Sequence, residues 1–150
     1  MKRTGDLKAD PAPDAGRAAW SVGHIPGAVH VDLERDLSAP VTPASGRHPL
    51  PPPDAFAATL GRLGIGNATR VVCYDGGPGA FAARLWWMLR WLGHDAAAVL
   101  DGGFAAWTAE GRPVDARQAP RAPVRFEARL RPQMVLDAAG VASALARGET

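Results

Sequence analysis

The stretch Val71–Asp95, VVCYDGGPGAFAARLWWMLRWLGHD, restricts the fold of this chain more than any other. RVVCY is short, β-branched and aromatic, and apolar on both faces, which suits a strand inside a parallel sheet covered by helices. A glycine-rich turn follows, then a helix expected from about Ala80 to Leu92 with Arg84 and Arg90 as its only charges. Phe81, Leu85, Met88 and Leu92 form one stripe of that helix. Trp86, Trp87 and Trp91 cover much of the rest, so it must pack on more than one side. Enzymes often present a nucleophile at the tip of such a strand. Here the tip residue is Asp75, and the only cysteine, Cys73, lies inside the strand.

Other elements are read around this unit. Residues 1–19 show neither a period-2 nor a period-3.6 pattern and are expected to be a frayed leader. GHIPGAVHVDL gives a turn around Pro26 and a short strand near Ala28–Asp32. SAPVTPASGRHPLPPP is a long proline-rich loop, because proline fixes φ and removes donors. PDAFAATLGRLG is a helix opened by Pro53, with Phe56, Leu60 and Leu63 on one side and Gly64 at its end. AAAVLDGG is a second strand and FAAWTAEG a short helix closed by Gly111. Strand–helix–strand–helix in this order means an α/β domain. Arg- and Pro-rich residues 115–132 read as a linker, and QMVLDAAGVASALARG restarts as an amphipathic helix.

Composition excludes several classes. The 150 residues are one domain's worth, 47% hydrophobic and 21% charged, as in soluble globular proteins. A net charge of +2 with scattered arginines offers no footprint for nucleic acid. No segment approaches the ~18 uninterrupted apolar residues of a membrane span, and no signal peptide is visible, so a cytoplasmic location is expected. One cysteine removes disulfide frameworks and Cys-rich metal sites, and His24, His30, His48 and His94 are not spaced as metal pairs, so no metal is expected. DGGPGA lacks the Lys-Ser/Thr pair of a P-loop. GIGNAT precedes a strand instead of following one, which removes the dinucleotide reading. Gly79 stands where a cysteine-loop phosphatase needs arginine.

Taken together, GHIPGAVHVDLERDLSAP, VVCYDGG, ARLWWMLRWLGH and VLDGGFAAWTAEGRPV resemble the first domain of two-domain rhodanese-type sulfurtransferases, the thiosulfate and 3-mercaptopyruvate sulfurtransferase family. The resemblance implies a rhodanese-like three-layer α/β/α fold with a parallel sheet, here lacking its first strand. The chain then divides into a leader (1–19), a rhodanese-like domain (20–114), an inter-domain linker (115–132) and the truncated start of a second rhodanese domain (133–150). In the family, a cysteine of the second domain takes sulfur as a persulfide, without metal or organic cofactor. That second domain would be the partner, with a small sulfur donor as substrate of the full enzyme and neither nucleic acid nor membrane involved.

The same resemblance puts Asp75 at the nucleophile position, followed by a degenerate active-site loop of Gly76, Gly77, Pro78, Gly79 and Ala80. A carboxylate cannot accept sulfane sulfur as a stable persulfide, whereas its oxygens are good acceptors for orphan helical N–H groups. The chain alone is therefore expected to be inactive. Cys73 is expected to be a buried, protonated core thiol. His48 in RHPLP and Glu34 in VDLE match positions that the family implies as auxiliary proton-handling groups, against the plainer reading of two polar loop residues. His24 is expected to bond local backbone, and Arg84 to reach a carboxylate such as Asp75 or Asp101 or to extend into solvent. Two other functions stay open: a stand-alone binding or regulatory module, and a coding fragment without function.

Overall fold

Two apolar helices and a pair of short strands generate the core. A computed structural model of the chain describes residues 14–118 and 120–148. In chain order the elements are α1 (Ala15–Val22), α2 (Pro53–Arg62), β1 (Val71–Cys73), α3 (Ala80–Trp91), β2 (Ala97–Val99) and α4 (Gly103–Ala109). A 3-10 turn over Pro132–Met134 leads to α5 (Ala138–Ala146). β1 and β2 pair in parallel, Val71 opposite Ala97 and Cys73 opposite Val99, with α3 as the connection between them. Trp86 Nε1 donates to the Ala97 carbonyl at 3.2 Å and ties the helix to β2.

The α2 pair Phe56 and Leu60, spaced one turn apart, is buried together with Met88, Leu89 and Leu92 at the end of α3. Full burial of each such side chain contributes roughly 1.5–3 kcal/mol. Cys73 lies in this cluster, 3% exposed. The stripe expected on α3 holds at Met88 and Leu92 but not at Phe81, which stands 48% exposed in the first turn beside the glycine loop. Val72 and Ala98, in register on the face opposite Cys73, are exposed, so among the described residues that face of β1 lacks the cover its sequence implies.

Three local expectations are corrected. Residues 1–13 lie outside the described residues, but the rest of the supposed leader is structured. α1 begins at Ala15, with Trp20 stacked on the His24 ring at 4.2 Å and Asp14 paired to Arg35 at 2.6 Å. The strand read at Ala28–Asp32 joins no ladder among the described residues. Its end is drawn into a turn by Asp32, which accepts from the N–H groups of Glu34 and Arg35 at 2.9 Å each. The C-terminal helix is split: Val135, Leu136 and Asp137 separate the 3-10 turn from α5, and Asp137 caps α5 through the Gly140 N–H at 2.7 Å.

Residues 121–131, inside the segment that composition marks as linker, form an extended strap bonded to the domain. The Val124 N–H donates to the Gly61 carbonyl, Arg129 to Leu92 and Arg131 to Trp91. The Asn67 amide clamps the Glu127 backbone from both sides at 2.8 Å. Arg131 forms a two-pronged pair with Asp95, at 2.8 and 2.6 Å. Phe126, 7% exposed, is the strap's anchor, its ring tilted against His94. The fit is possible because glycines line the track. A Cβ at Gly61 would meet the Val124 carbonyl, and one at Gly93 the Arg129 carbonyl. Gly93 also has φ +79°, in the left-handed region.

Gly93→Ala therefore lowers the unfolding free energy by about 1–3 kcal/mol, combining the left-handed penalty with displacement of the strap. A denaturant titration measures the loss, and native trypsin should cut faster after Arg125 and Arg129. An unchanged midpoint and an unchanged cleavage rate would refute the glycine track.

Candidate functional site: the Asp75 loop and the His48–Glu34 pair

The glycine loop is organised by its first residue. The opening N–H groups of a helix have no partner inside it, and Gly79, at the position where a side chain normally caps, has none to offer. Gly79 is there for its backbone: φ is +92°. Asp75 supplies the missing acceptor from four residues upstream. Its Oδ1 accepts from the N–H groups of Gly77 at 2.9 Å and Gly79 at 3.1 Å, and its Oδ2 from Phe81 and Ala82 at 3.0 Å each. Partial burial opposes the charged carboxylate, but the four N–H donors outweigh it and hold the Asp75 pKa below its ordinary value. The nest is thus filled by the chain's own anion.

Neighbouring groups lock the loop to the domain. The Asp75 carbonyl accepts from the Phe104 N–H at 3.1 Å, and a Cβ on Gly103 would lie 3.0 Å from that oxygen. The Tyr74 ring stacks on Phe104 at 5.9 Å, and its hydroxyl accepts from the Ile25 N–H at 3.1 Å. Burial raises the Tyr74 pKa, with the Ile25 bond acting the other way. The GHIPGA turn is held further by His24, 1% exposed, whose Nδ1–H donates to the Trp20 carbonyl at 2.9 Å, a structural role as the sequence indicates. Its backbone also bridges Asp115 in both directions, at 2.8 and 2.9 Å.

Cys73 ends β1 and is buried in the core cluster. Burial pushes its thiol up to about 11, so the thiolate needed for nucleophilic sulfur chemistry is suppressed at neutral pH. Among the described residues, no group of three or more His, Cys, Asp and Glu side chains is arranged to hold a metal ion, and no helix is long and apolar enough to cross a membrane.

His48 and Glu34 come together. His48 Nδ1 lies 3.1 Å from Glu34 Oε1, within ion-pair distance but out of line for a hydrogen bond. Glu34 is the more exposed partner, and Asp32 fixes its backbone through the turn described above. No hydrogen bond or ion pair among the described residues joins this pair to Asp75. Arg84 reaches neither Asp75 nor Asp101. Its Nη2 donates to two backbone carbonyls, Leu37 at 2.8 Å and His48 at 2.9 Å. Burial lowers the Arg84 pKa, opposed by the nearby Glu34 charge. Sequence reasoning missed this target and the Tyr74–Ile25 bond, because backbone acceptors and donors carry no residue signature. The double glycine at 102–103, read in the sequence as the end of a strand, is where the backbone passes close to the Asp75 carbonyl.

Acid lability follows with a definite sign. Asp75 binds its proton less readily folded than unfolded, and Arg117 holds Asp115 down at about 2. Their stabilisation is complete above the ordinary carboxylate pKa of about 3.9 and drains away as pH falls through the folded values. Asp75→Ala costs about 1–2 kcal/mol at pH 7, on the scale of a lost helix cap, and flattens the decline of thermal midpoint between roughly pH 5 and 2. Parallel thermal melts of both proteins across that range check this; superimposable acid limbs would contradict it.

Residues 12–110 match the rhodanese-like domain family. The chain is 46% identical over 129 residues to a probable 3-mercaptopyruvate sulfurtransferase of Pseudomonas aeruginosa, spanning 85% of this chain and 45% of that protein. It is 40% identical over 124 residues to the thiosulfate sulfurtransferase of Bos taurus, covering 80% of this chain and 40% of the relative. The crystal structure of the 3-mercaptopyruvate sulfotransferase SseA of Escherichia coli is similar with a TM-score of 0.78 and 30% identity, over 99% of this chain and 53% of that one. The chain thus spans about half the length, or less, of these relatives. With its α/β unit, its glycine loop and these likenesses, it belongs to the rhodanese-like domain family.

Proposed function

We propose that this chain is the non-catalytic first domain of a sulfurtransferase that moves sulfur from thiosulfate or 3-mercaptopyruvate through a persulfide. The persulfide would form on a cysteine of a second rhodanese-like domain outside these 150 residues. One observation carries the reading: the amide nest at the head of α3 is filled by the Asp75 carboxylate, while the single thiol is buried in the core cluster. A nest of N–H groups favours an anionic sulfur when it is empty. Filled by a fixed negative charge, it repels anionic donors and has no acceptor atom for sulfur.

The work left to such a domain is structural and auxiliary. It buries a face of the catalytic domain and shapes the cleft between them, with His48 and Glu34 as candidates for handling a proton near the substrate. The exposed side chains Leu136, Val141 and Leu145 on and before α5 support an apolar partner face in that region. A reducing, cytoplasmic setting goes with this reading, since the lone thiol needs no disulfide partner.

The purified chain should show only background thiosulfate:cyanide and mercaptopyruvate:thiol transfer, unchanged by Cys73→Ala. Mass spectrometry after incubation with either donor should find no sulfur adduct. Turnover that disappears in Cys73→Ala, or an adduct on Cys73, would overturn the proposal.

A further inference from the structure

The proline-rich loop between Leu37 and His48 is long, exposed and poor in regular structure, yet it delivers His48 to a defined place. Val41 within it is 64% exposed, and residues 40–44 contribute nothing to the core. A loop of this composition has no internal ladder to fix its ends. What fixes them lies beneath. Arg84 projects from the second turn of α3, and one nitrogen, Nη2, bonds the carbonyl of Leu37 at one foot and that of His48 at the other. Beside it the Ala39 N–H donates to the Pro49 carbonyl at 2.9 Å and closes the neck. Leu37 is 2% exposed, so this foot is anchored in the core.

His48 itself adopts φ +52°, one of two non-glycine residues of the described chain in the left-handed region. That conformation costs an L-residue about 1–2 kcal/mol and persists only where surrounding contacts impose it. The bond from Arg84 to the His48 carbonyl is such a contact, and the resulting backbone orientation sets Nδ1 at 3.1 Å from Glu34. Arg84 also stands near enough to Glu34 to feel its charge.

We propose that Arg84 is a positioning residue: by stapling both feet of the 38–47 loop it holds His48 in its left-handed conformation against Glu34. Its purpose rests on the reading of His48 and Glu34 as auxiliary proton-handling groups. Its test does not, because coupling between the two side chains can be read without any sulfur transfer. Lysine cannot replace the arginine. Its ammonium ends one bond short of the Nη2 position that bonds both carbonyls, and it is more strongly hydrated, so holding it in the helix–loop seam costs more.

The experiment is a double-substitution cycle read by NMR on the 15N-labelled chain, with the His48 imidazole nitrogens assigned through His48→Gln. Glu34→Gln should move those resonances in the wild-type background. In Arg84→Lys, and again in Arg84→Gln, the same change should move them at least threefold less, while the Phe81 and Ala82 amides bonded to Asp75 keep their exchange protection. An undiminished response in either folded variant overturns the proposal. Should both variants unfold, the unsubstituted protein decides: slowly exchanging Arg84 guanidinium protons with Overhauser contacts to the Leu37 and His48 backbone are expected, and their absence overturns it equally.

Discussion

A carboxylate enclosed by four backbone N–H groups is the interaction around which this domain is arranged. Asp75 ends the run of residues that β1 begins, and its two oxygens satisfy Gly77, Gly79, Phe81 and Ala82 together. The same arrangement sets the direction of α3 relative to β1, because the acceptors sit on the strand side and the donors on the helix side. It also requires Gly79 in the left-handed region, where a side chain would be strained. A charged acceptor is the strong choice here: bonds to ionised groups are shorter and stronger than neutral ones. Structure and chemistry then compete for one nest. The residue that best stabilises the turn is the one that prevents the nest from holding anything else.

From that turn, α3 distributes constraints along its length. Its first turn gives N–H groups to Asp75, its second sends Arg84 to the Leu37–His48 loop, and Trp86 reaches the Ala97 carbonyl of β2. The carbonyls of Trp91 and Leu92, at and just past its end, receive the strap residues Arg131 and Arg129. The two described strands, paired in parallel, need this help. Parallel pairs are stable when helices cover them, and an isolated two-stranded unit is marginal in water. Cover on the Cys73 face comes from α3 and the core cluster; Val72 on the opposite face remains 59% exposed.

Much of this was legible in the sequence, for identifiable reasons. The strand, loop and helix of Val71–Trp91 follow from β-branched residues, clustered glycines and an apolar helix, and Pro53 with Phe56 and Leu60 marks α2. The burial of Cys73 follows from alternation. Illegible features share a cause: they depend on a partner. Ala28–Asp32 has the composition of a strand, but a strand is defined by pairing, and no described neighbour pairs with it. α1 is short and has no buried residue, and it is held through Trp20 on His24 and Asp14 on Arg35. The strap looked like a linker because arginine and proline dominate it, while its bonds are made mainly by backbone. Gly61, Gly64, Gly66 and Gly93 lie where the strap passes close, yet Gly64 at the end of α2 reads first as a stop. At the site, the approach of His48 to Glu34 was legible only through the family resemblance, and the arginine beneath them was assigned the wrong kind of acceptor.

That last error has a physical lesson. An arginine on an apolar helix invites a search for a carboxylate, because a buried cation left unpaired is costly. Two carbonyl oxygens meet the same need without a second formal charge, avoiding the desolvation of an ion pair. They also do what a carboxylate could not: they belong to residues eleven positions apart, so one guanidinium nitrogen closes a loop. Closing it from below leaves the loop's outer surface free, with Val41 and its neighbours turned to solvent. A proline-rich segment already restricted in φ loses less entropy when its feet are pinned than a flexible one would. Pro40 and Pro43 within the loop restrict its backbone, and the guanidinium beneath holds both of its feet.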